Sequence, residues 1–512
     1  MKSFLLLLLL LPFLAASQSP KPAEAKTVEQ KLAYFLRLTD TLRQQTNNPG
    51  LALAIVWEGQ VLYQGGLGYR DVARKLPVTN TTLFEIGSCS KAFTGVLAAQ
   101  LVQDSLLDWN TPVRRYLKEF TLADAYATEH ATLRDLLTHR VGLYQHYYLL
   151  YGPRLTRQQV LTKLPYLGLD GSFREKFIYN NLLYGVAGLV EERVTHTPWE
   201  KLVDSRIFQP LGMRHSFATF ADFQRYPENT VSYRKDGRTV VPPMSLDAVA
   251  PAGSISSTID DMAIWVKMLA NKGTLDGRPF LSPQQFAYLT SPLTVRNAAE
   301  EIFYGIAWDV DTKRRIVYHD GRTAGQSSRI LLKPEIGFGI VMLCNQQTEL
   351  QNLLIRYATN IFVDNNYERM ADFEQFVIGN AQPASSAPAS IPAAFQNAAL
   401  ASELPAYVGT YSHPAYGRIT LSQPHPRQLA FAYYDFKGPV QSRAGGGLSA
   451  YTSHYTGNDV FNFHLVKNAQ HQVTGLQITF PYAQPMLFTK DSTSLPKPKT
   501  KVSRIQRKEA LR

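Results

Sequence analysis

Ser88 and Lys91 stand three residues apart where an extended run, Thr82-Leu83-Phe84-Glu85-Ile86-Gly87, gives way to the apolar helical text of residues 92–101. A serine at a helix N-terminus lies beside unpaired backbone N–H groups and over the positive end of the helix dipole. A lysine one turn along shares its face. Burial and the dipole both disfavour the ammonium form, so the amine could accept the serine proton and leave an oxygen nucleophile. Taken alone, the same residues also fit an N-cap serine followed by a surface lysine. Two further clusters follow in order, Tyr179-Asn180-Asn181 and Tyr318-His319-Asp320-Gly321 with Arg322 next, roughly 90 and 140 residues apart. Other candidates carry less. His130, His139 and His146 lack the H-E-x-x-H spacing of a metal site, and His139 is expected to be structural. Gly65-Gly66-Leu67-Gly68 is not a dinucleotide fingerprint, and there is no G-x-S-x-G elbow. No metal and no cofactor are expected.

S-x-x-K, Y-x-N and H-x-G in this order resemble the serine β-lactamase and penicillin-binding-protein superfamily. The phrase EIGSCSKAFTGVL resembles its class C β-lactamase, D-alanyl-D-alanine carboxypeptidase and esterase branch, as do TLRDLLTHRVGL, TPWEKLVDSRIFQPLGM and PAGSISSTIDDMAIWVKML, over residues 27–365. The resemblance implies acyl transfer through a Ser88 ester, with Lys91 and Tyr179 sharing the proton traffic and Tyr179 activating water for deacylation. Which of the two is the acylation base stays open. It further implies that Asn181 holds the substrate amide and the Lys91 ammonium, and that the backbone N–H groups of Ser88 and Arg322 form the oxyanion hole. Gly321 would admit the substrate. His319 departs from the pattern, because strict penicillin-recognising members carry lysine there. A histidine is mostly neutral at pH 7, so a fixed charge for a substrate carboxylate is missing, and Arg322 is the candidate to restore it. An esterase or D-amino-acid peptidase-like hydrolase is therefore expected. The alternatives are a D-alanyl-D-alanine carboxypeptidase or β-lactamase, and a catalytically silent module that binds or senses cell wall.

At 512 residues the chain exceeds the size at which one core keeps growing, and its 45% hydrophobic and 18% charged residues are those of a globular protein. Met1-Lys2-Ser3, an apolar run and Ala15-Ala16-Ser17 have the form of a signal peptide over residues 1–17, too short to span a bilayer. The expectation is an exported protein, periplasmic or extracellular, with no transmembrane anchor and no nucleic-acid partner. Its substrate would be a small ester or peptide, peptidoglycan fragments included. Cys89 and Cys344, the two cysteines, fall in apolar elements and are expected to be free and buried. Of the net charge of +12, half lies in residues 495–512, where seven Lys and Arg face Glu509. That basic tail is expected to be a solvated, disordered end, with weak contact to an anionic surface as the other option.

These residues need elements to hold them. Apolar positions 28, 32, 35, 38 and 42 keep one helical face, with Thr27 and Gln30 as a capping box. Glu58-Gly59 turns a hairpin, and strand signals return near residues 315–318, 328–332 and 337–343 before a closing helix at 350–362. Strands from both ends with helical text between them predict an antiparallel sheet flanked by helices with an all-α insertion, the α/β arrangement that the resemblance also implies. A Pro/Ala/Ser linker (381–394) then leads to six short strand-like runs in residues 403–490, a small antiparallel β domain of barrel-like form. Because all three motifs precede residue 365, a chain ending at residue 380 is expected to remain an active hydrolase.

Overall fold

Thr27 accepts the Gln30 N–H at 3.3 Å while the Gln30 side chain accepts the Thr27 N–H at 3.2 Å, the capping box that starts the first helix. The computed structural model describes residues 27–152, 154–381, 404–442, 447–452, 459–481 and 483–491. The leader, all of the linker after Ala381, and the basic tail lie outside the described residues. The helices used below are α1 (Val28–Gln45), α2 (Ser90–Gln103), α3 (Tyr147–Tyr151), α4 (Asn181–Thr195), α5 (Ile259–Ala270) and α6 (Leu350–Ala358). The chain divides into two compact units, residues 1–109 with 191–385, and residues 110–190 with 386–512.

The first unit is built on a nine-stranded antiparallel sheet. Its strands are β1 (Gly50–Trp57), β2 (Gln60–Asp71), β3 (Leu76–Pro77), β4 (Thr294–Asn297), β5 (Ile302–Tyr304), β6 (Asp309–Asp311), β7 (Ile316–Thr323), β8 (Gln326–Lys333) and β9 (Phe338–Cys344), in the spatial order β3-β2-β1-β9-β8-β7-β6-β5-β4. The β1–β2 hairpin turns at Glu58 and Gly59, both with positive φ (49° and 74°), the backbone a two-residue turn needs. Alternation sends Leu51, Leu53 and Ile55 of β1, with Phe338, Ile340 and Met342 of β9, against α1 and α6. Each such fully buried side chain contributes about 1.5–3 kcal/mol relative to exposure. The opposite sheet face takes α5, against which Gly339 packs so closely that a Cβ there would sit 2.5 Å from Val266. Cys89 and Cys344 are buried and unpaired.

In the second unit, β10 (Gly409–His413), β11 (Gly417–His425), β12 (Gln428–Tyr433), β13 (Phe436–Ser442), β14 (Leu448–Thr452), β15 (Asp459–Lys467), β16 (Val473–Thr479) and β17 (Pro485–Lys490) form a closed antiparallel barrel, β10 pairing with β17 through Tyr411↔Lys490. Six runs were legible as strands; β13 and β14 were not, because Gly438-Pro439 interrupts the first and the second is five residues long. The inward positions are large, with Phe431 and Phe461 stacked at 5.0 Å, so side chains fill the interior.

Candidate active site

The turn before α2 is fixed by hydrogen bonds to a neighbouring segment. Ser90 Oγ donates to the Gly87 carbonyl at 2.7 Å and accepts the Ile255 N–H at 3.0 Å, and the Ile86 N–H reaches the Ile255 carbonyl at 2.9 Å. This leaves the half-buried Ser88 at the entrance of the helix, in a 3-10 turn spanning Gly87–Cys89. Gly87 has φ +50°, and a Cβ on it would stand 2.6 Å from the Arg322 nitrogen. A Cβ on Gly321 would stand 2.0 Å from the Ile86 carbonyl oxygen. The Ile86–Gly87 backbone therefore lies directly against Gly321–Arg322 of β7, an approach that only glycine at both positions permits.

Lys91 has no exposed surface. Its Nζ lies 3.1 Å from Ser88 Oγ and donates to the Ala252 carbonyl at 2.8 Å. Burial holds its pKa well below the ordinary lysine value, which favours the neutral amine. Such an amine beside a hydroxyl has the chemistry to accept its proton.

His319 and Gly321, two residues apart on β7, share one sheet face, and the Ile86–Cys89 turn packs against this part of the strand. The His319 ring is buried, with Nδ1 2.7 Å from the Asp320 carbonyl oxygen and Nε2 3.0 Å from the Tyr304 hydroxyl. A carbonyl only accepts, so Nδ1 carries the hydrogen and Nε2 accepts from Tyr304. Burial pushes the His319 pKa down to about 3, so the imidazole is neutral. Strand alternation sends the Arg322 side chain to the opposite face, where it pairs with Glu349 beside α6. That corrects the expectation that its guanidinium replaces the missing charge; what Arg322 brings toward Gly87 is its backbone. Asp320 on that far face pairs with Arg329 at 2.7 Å. Cys89, next to Ser88, packs with Sγ 3.5 Å from the His319 carbonyl oxygen and accepts the Ser328 hydroxyl at 3.2 Å. Burial pushes this thiol up to about 12, which makes it inert at neutral pH.

Tyr179 and Asn181 belong to the second unit, and the remaining candidates to the first. Tyr179 is half-buried, its ring 4.4 Å from that of His139. The fully buried Asn180 organises the turn. Its N–H donates to His139 Nδ1 at 3.0 Å, its Nδ2 to the Leu143 carbonyl at 3.1 Å and to the Tyr144 carbonyl, and its Oδ1 accepts the Leu183 N–H at 3.0 Å. That last bond caps the start of α4, whose first residue is Asn181. His139, expected to be structural, is the acceptor that fixes this turn.

Three residues of this environment escape the motif template. Asn180 is the unspecified middle of Y-x-N. Tyr304 sits on β5, and no sequence signal links it to His319. Glu85 passed as part of the extended run before Ser88, though an acid among apolar residues is a signal that could have found it: its carboxylate accepts from Thr323 Oγ1 (3.1 Å) and Gln326 Nε2 (3.2 Å), and burial pushes it up to about 7.

A family profile described as Beta-lactamase matches residues 35–360. The chain is 27% identical over 413 residues to the "Unguisins hydrolase ungD'" of Aspergillus campestris, covering 75% of this chain and 76% of that protein. It is 27% identical over 334 residues to "Protein flp" of Staphylococcus aureus, covering 63% of this chain and 64% of that one. Among solved structures, the octameric penicillin-binding protein homologue from Pyrococcus abyssi superposes with a TM-score of 0.59 at 18% identity, over 90% of this chain and 100% of that one. The last likeness is one of fold.

Proposed function

Since the chain belongs to the Beta-lactamase family, we propose that it is a serine hydrolase working through a covalent ester on Ser88. The observation that carries this reading is the fully buried Lys91 amine 3.1 Å from Ser88 Oγ. In the proposed reaction Ser88 Oγ bonds to the substrate carbonyl carbon as its proton passes to Lys91 or Tyr179. The tetrahedral oxyanion is taken by the backbone N–H groups of Ser88 and Arg322. The leaving alcohol or amine departs with a proton, and water, deprotonated by Tyr179, then cleaves the ester and returns the proton to Ser88. Asn181 orients the substrate amide.

Neutral His319 argues for the substrate class. With no fixed cation on its face of β7, substrates without a carboxylate at this point are favoured: small esters and D-amino-acid peptides over β-lactams and D-alanyl-D-alanine termini. The hydrolase name of the Aspergillus relative agrees with hydrolysis as the outcome. The leader-like residues 1–17 support export, with the hydrolase acting in the periplasm or outside the cell.

Intact-mass spectrometry after a fluorophosphonate tests the nucleophile. One adduct is expected on the wild type and none on Ser88→Ala, with turnover down ~10⁴-fold or more; an adduct retained by Ser88→Ala would place the nucleophile elsewhere. A short-chain ester, a cephalosporin and a D-alanyl-D-alanine peptide assayed side by side decide the class.

A further inference from the structure

The second unit joins two stretches of chain, residues 110–190 and the barrel, through a small set of specific contacts. Helix α3 is five residues long, below the length at which a helix holds in water by itself. The barrel supplies what it lacks. Tyr148 is 4% exposed, its ring 5.3 Å from Phe436, 5.0 Å from Phe461 and 5.8 Å from Phe480, and its hydroxyl donates to Asp459 at 2.5 Å. The Tyr433 hydroxyl donates to the Tyr148 carbonyl at 3.1 Å. Just before α3, His146 adopts the left-handed backbone (φ 47°, ψ 43°), a conformation that non-glycine residues seldom take. Its Nδ1 lies 2.9 Å from the Tyr416 hydroxyl, so a barrel residue holds it there.

A second anchor acts from the other side. Gln484, before β17, donates Nε2 to the Leu169 carbonyl at 3.1 Å. Leu169 pairs with Leu143 as an antiparallel bridge, and the Asp170 N–H reaches the Gly142 carbonyl at 2.7 Å. The segment from Gly142 to Tyr148 is thus held by the barrel directly at His146 and Tyr148 and, through Leu169 and Asp170, at its start. Between the ties stand the Leu143 and Tyr144 carbonyls that accept the amide of Asn180.

We propose that the barrel is a clamp that sets the Tyr179-Asn180-Asn181 turn, and that Tyr148, seated among the barrel's aromatic side chains, is a positioning residue for Tyr179. The effect on catalysis rests on the proposed role of Tyr179 in proton traffic; the clamp itself does not.

The test uses the full chain with Tyr148→Ala, Tyr148→Phe and Gln484→Ala, and reads two quantities. Hydrogen exchange of residues 178–183 reports the turn whether or not the protein turns over substrate. The second quantity is kcat per Ser88 labelled by the fluorophosphonate, which counts folded sites only. Tyr148→Ala is expected to speed exchange at 178–183 by about tenfold or more and to lower kcat per labelled site by a similar factor. Tyr148→Phe, which keeps the ring, is expected to restore most of both. Gln484→Ala removes only an amide and is expected to speed the same exchange, which keeps the test decisive if Tyr148→Ala fails to fold. Exchange at 178–183 that is unchanged in Tyr148→Ala, or in Gln484→Ala where the former does not fold, overturns the clamp. Faster exchange with unaltered kcat per labelled site supports the clamp and removes Tyr179 from the proton traffic.

Discussion

His319 is where charge chemistry and burial meet most directly. The unfolded chain binds a proton there near pH 6.5, while the folded chain resists it down to about 3. The folded state holds fewer protons than the unfolded one between these values, so this residue's contribution is intact above pH 6.5 and is lost as pH falls toward 3. His319→Gln, which cannot titrate, should flatten the loss of Tm over that window, as measured by calorimetry at a series of pH values. An acid limb identical to wild type would mean that other groups set it. Substrate class follows from the same residue. His319→Lys places at this point a group whose ordinary pKa lies about four units higher, so a bound carboxylate can hold it charged against the burial that neutralises histidine. The ratio of cephalosporin to neutral-ester kcat/KM should rise by roughly 10–150-fold, the worth of one charge-assisted hydrogen bond. Arg322→Ser should leave that ratio unchanged, because the guanidinium is committed to Glu349 on the far face. Parallel kinetics on both variants would show whether charge on this strand selects substrate at all.

At the level of elements, the two glycines where the nucleophile turn meets β7 fix how close the segments stand. Gly321→Ala would put a methyl group 2.0 Å from the Ile86 carbonyl oxygen, and backbone cannot yield as a side-chain tip does. The expected cost is about 1–3 kcal/mol of stability, the usual range for overpacking, with fluorophosphonate labelling of Ser88 slowed markedly; denaturant melts and labelling rates measure the two effects. Normal labelling in a stable variant would separate β7 from the oxyanion site. Much of this arrangement was legible beforehand, because it rests on local signals: a helical face at positions 28 to 42 with its capping box, a positive-φ hairpin at Glu58-Gly59, and motif residues at strand and helix ends. What was not legible depends on pairings between distant segments. The edge strands β4, β5 and β6 are three or four residues long and carry no period of their own. The orientation of Arg322 needs the register of β7, in which Arg322 faces Ser327 and Gly321 faces Ser328, and a one-residue slip would exchange the faces.

For the molecule as a whole, the linker composition pointed to an independent β domain, and the contacts of Tyr148 speak against independence. A chain ending at residue 380 would leave Tyr148 without Phe436, Phe461 and the Asp459 acceptor, and His146 without Tyr416. It is expected to show faster exchange across residues 139–183 and loss of turnover, read by hydrogen exchange and ester assay. A truncated chain with full turnover would restore the picture of two separable parts. There is also a consequence in time. Tyr148 and its acceptor Asp459 are 311 residues apart, which at about 5–20 residues per second of synthesis is roughly 15–60 s. Throughout that interval α3 has been made and the strands that seat it have not, so an aromatic segment waits uncovered. On the clamp proposal, the Tyr179 turn settles only once the last barrel strands are present to seat Tyr148, so maturation of the site trails completion of the chain.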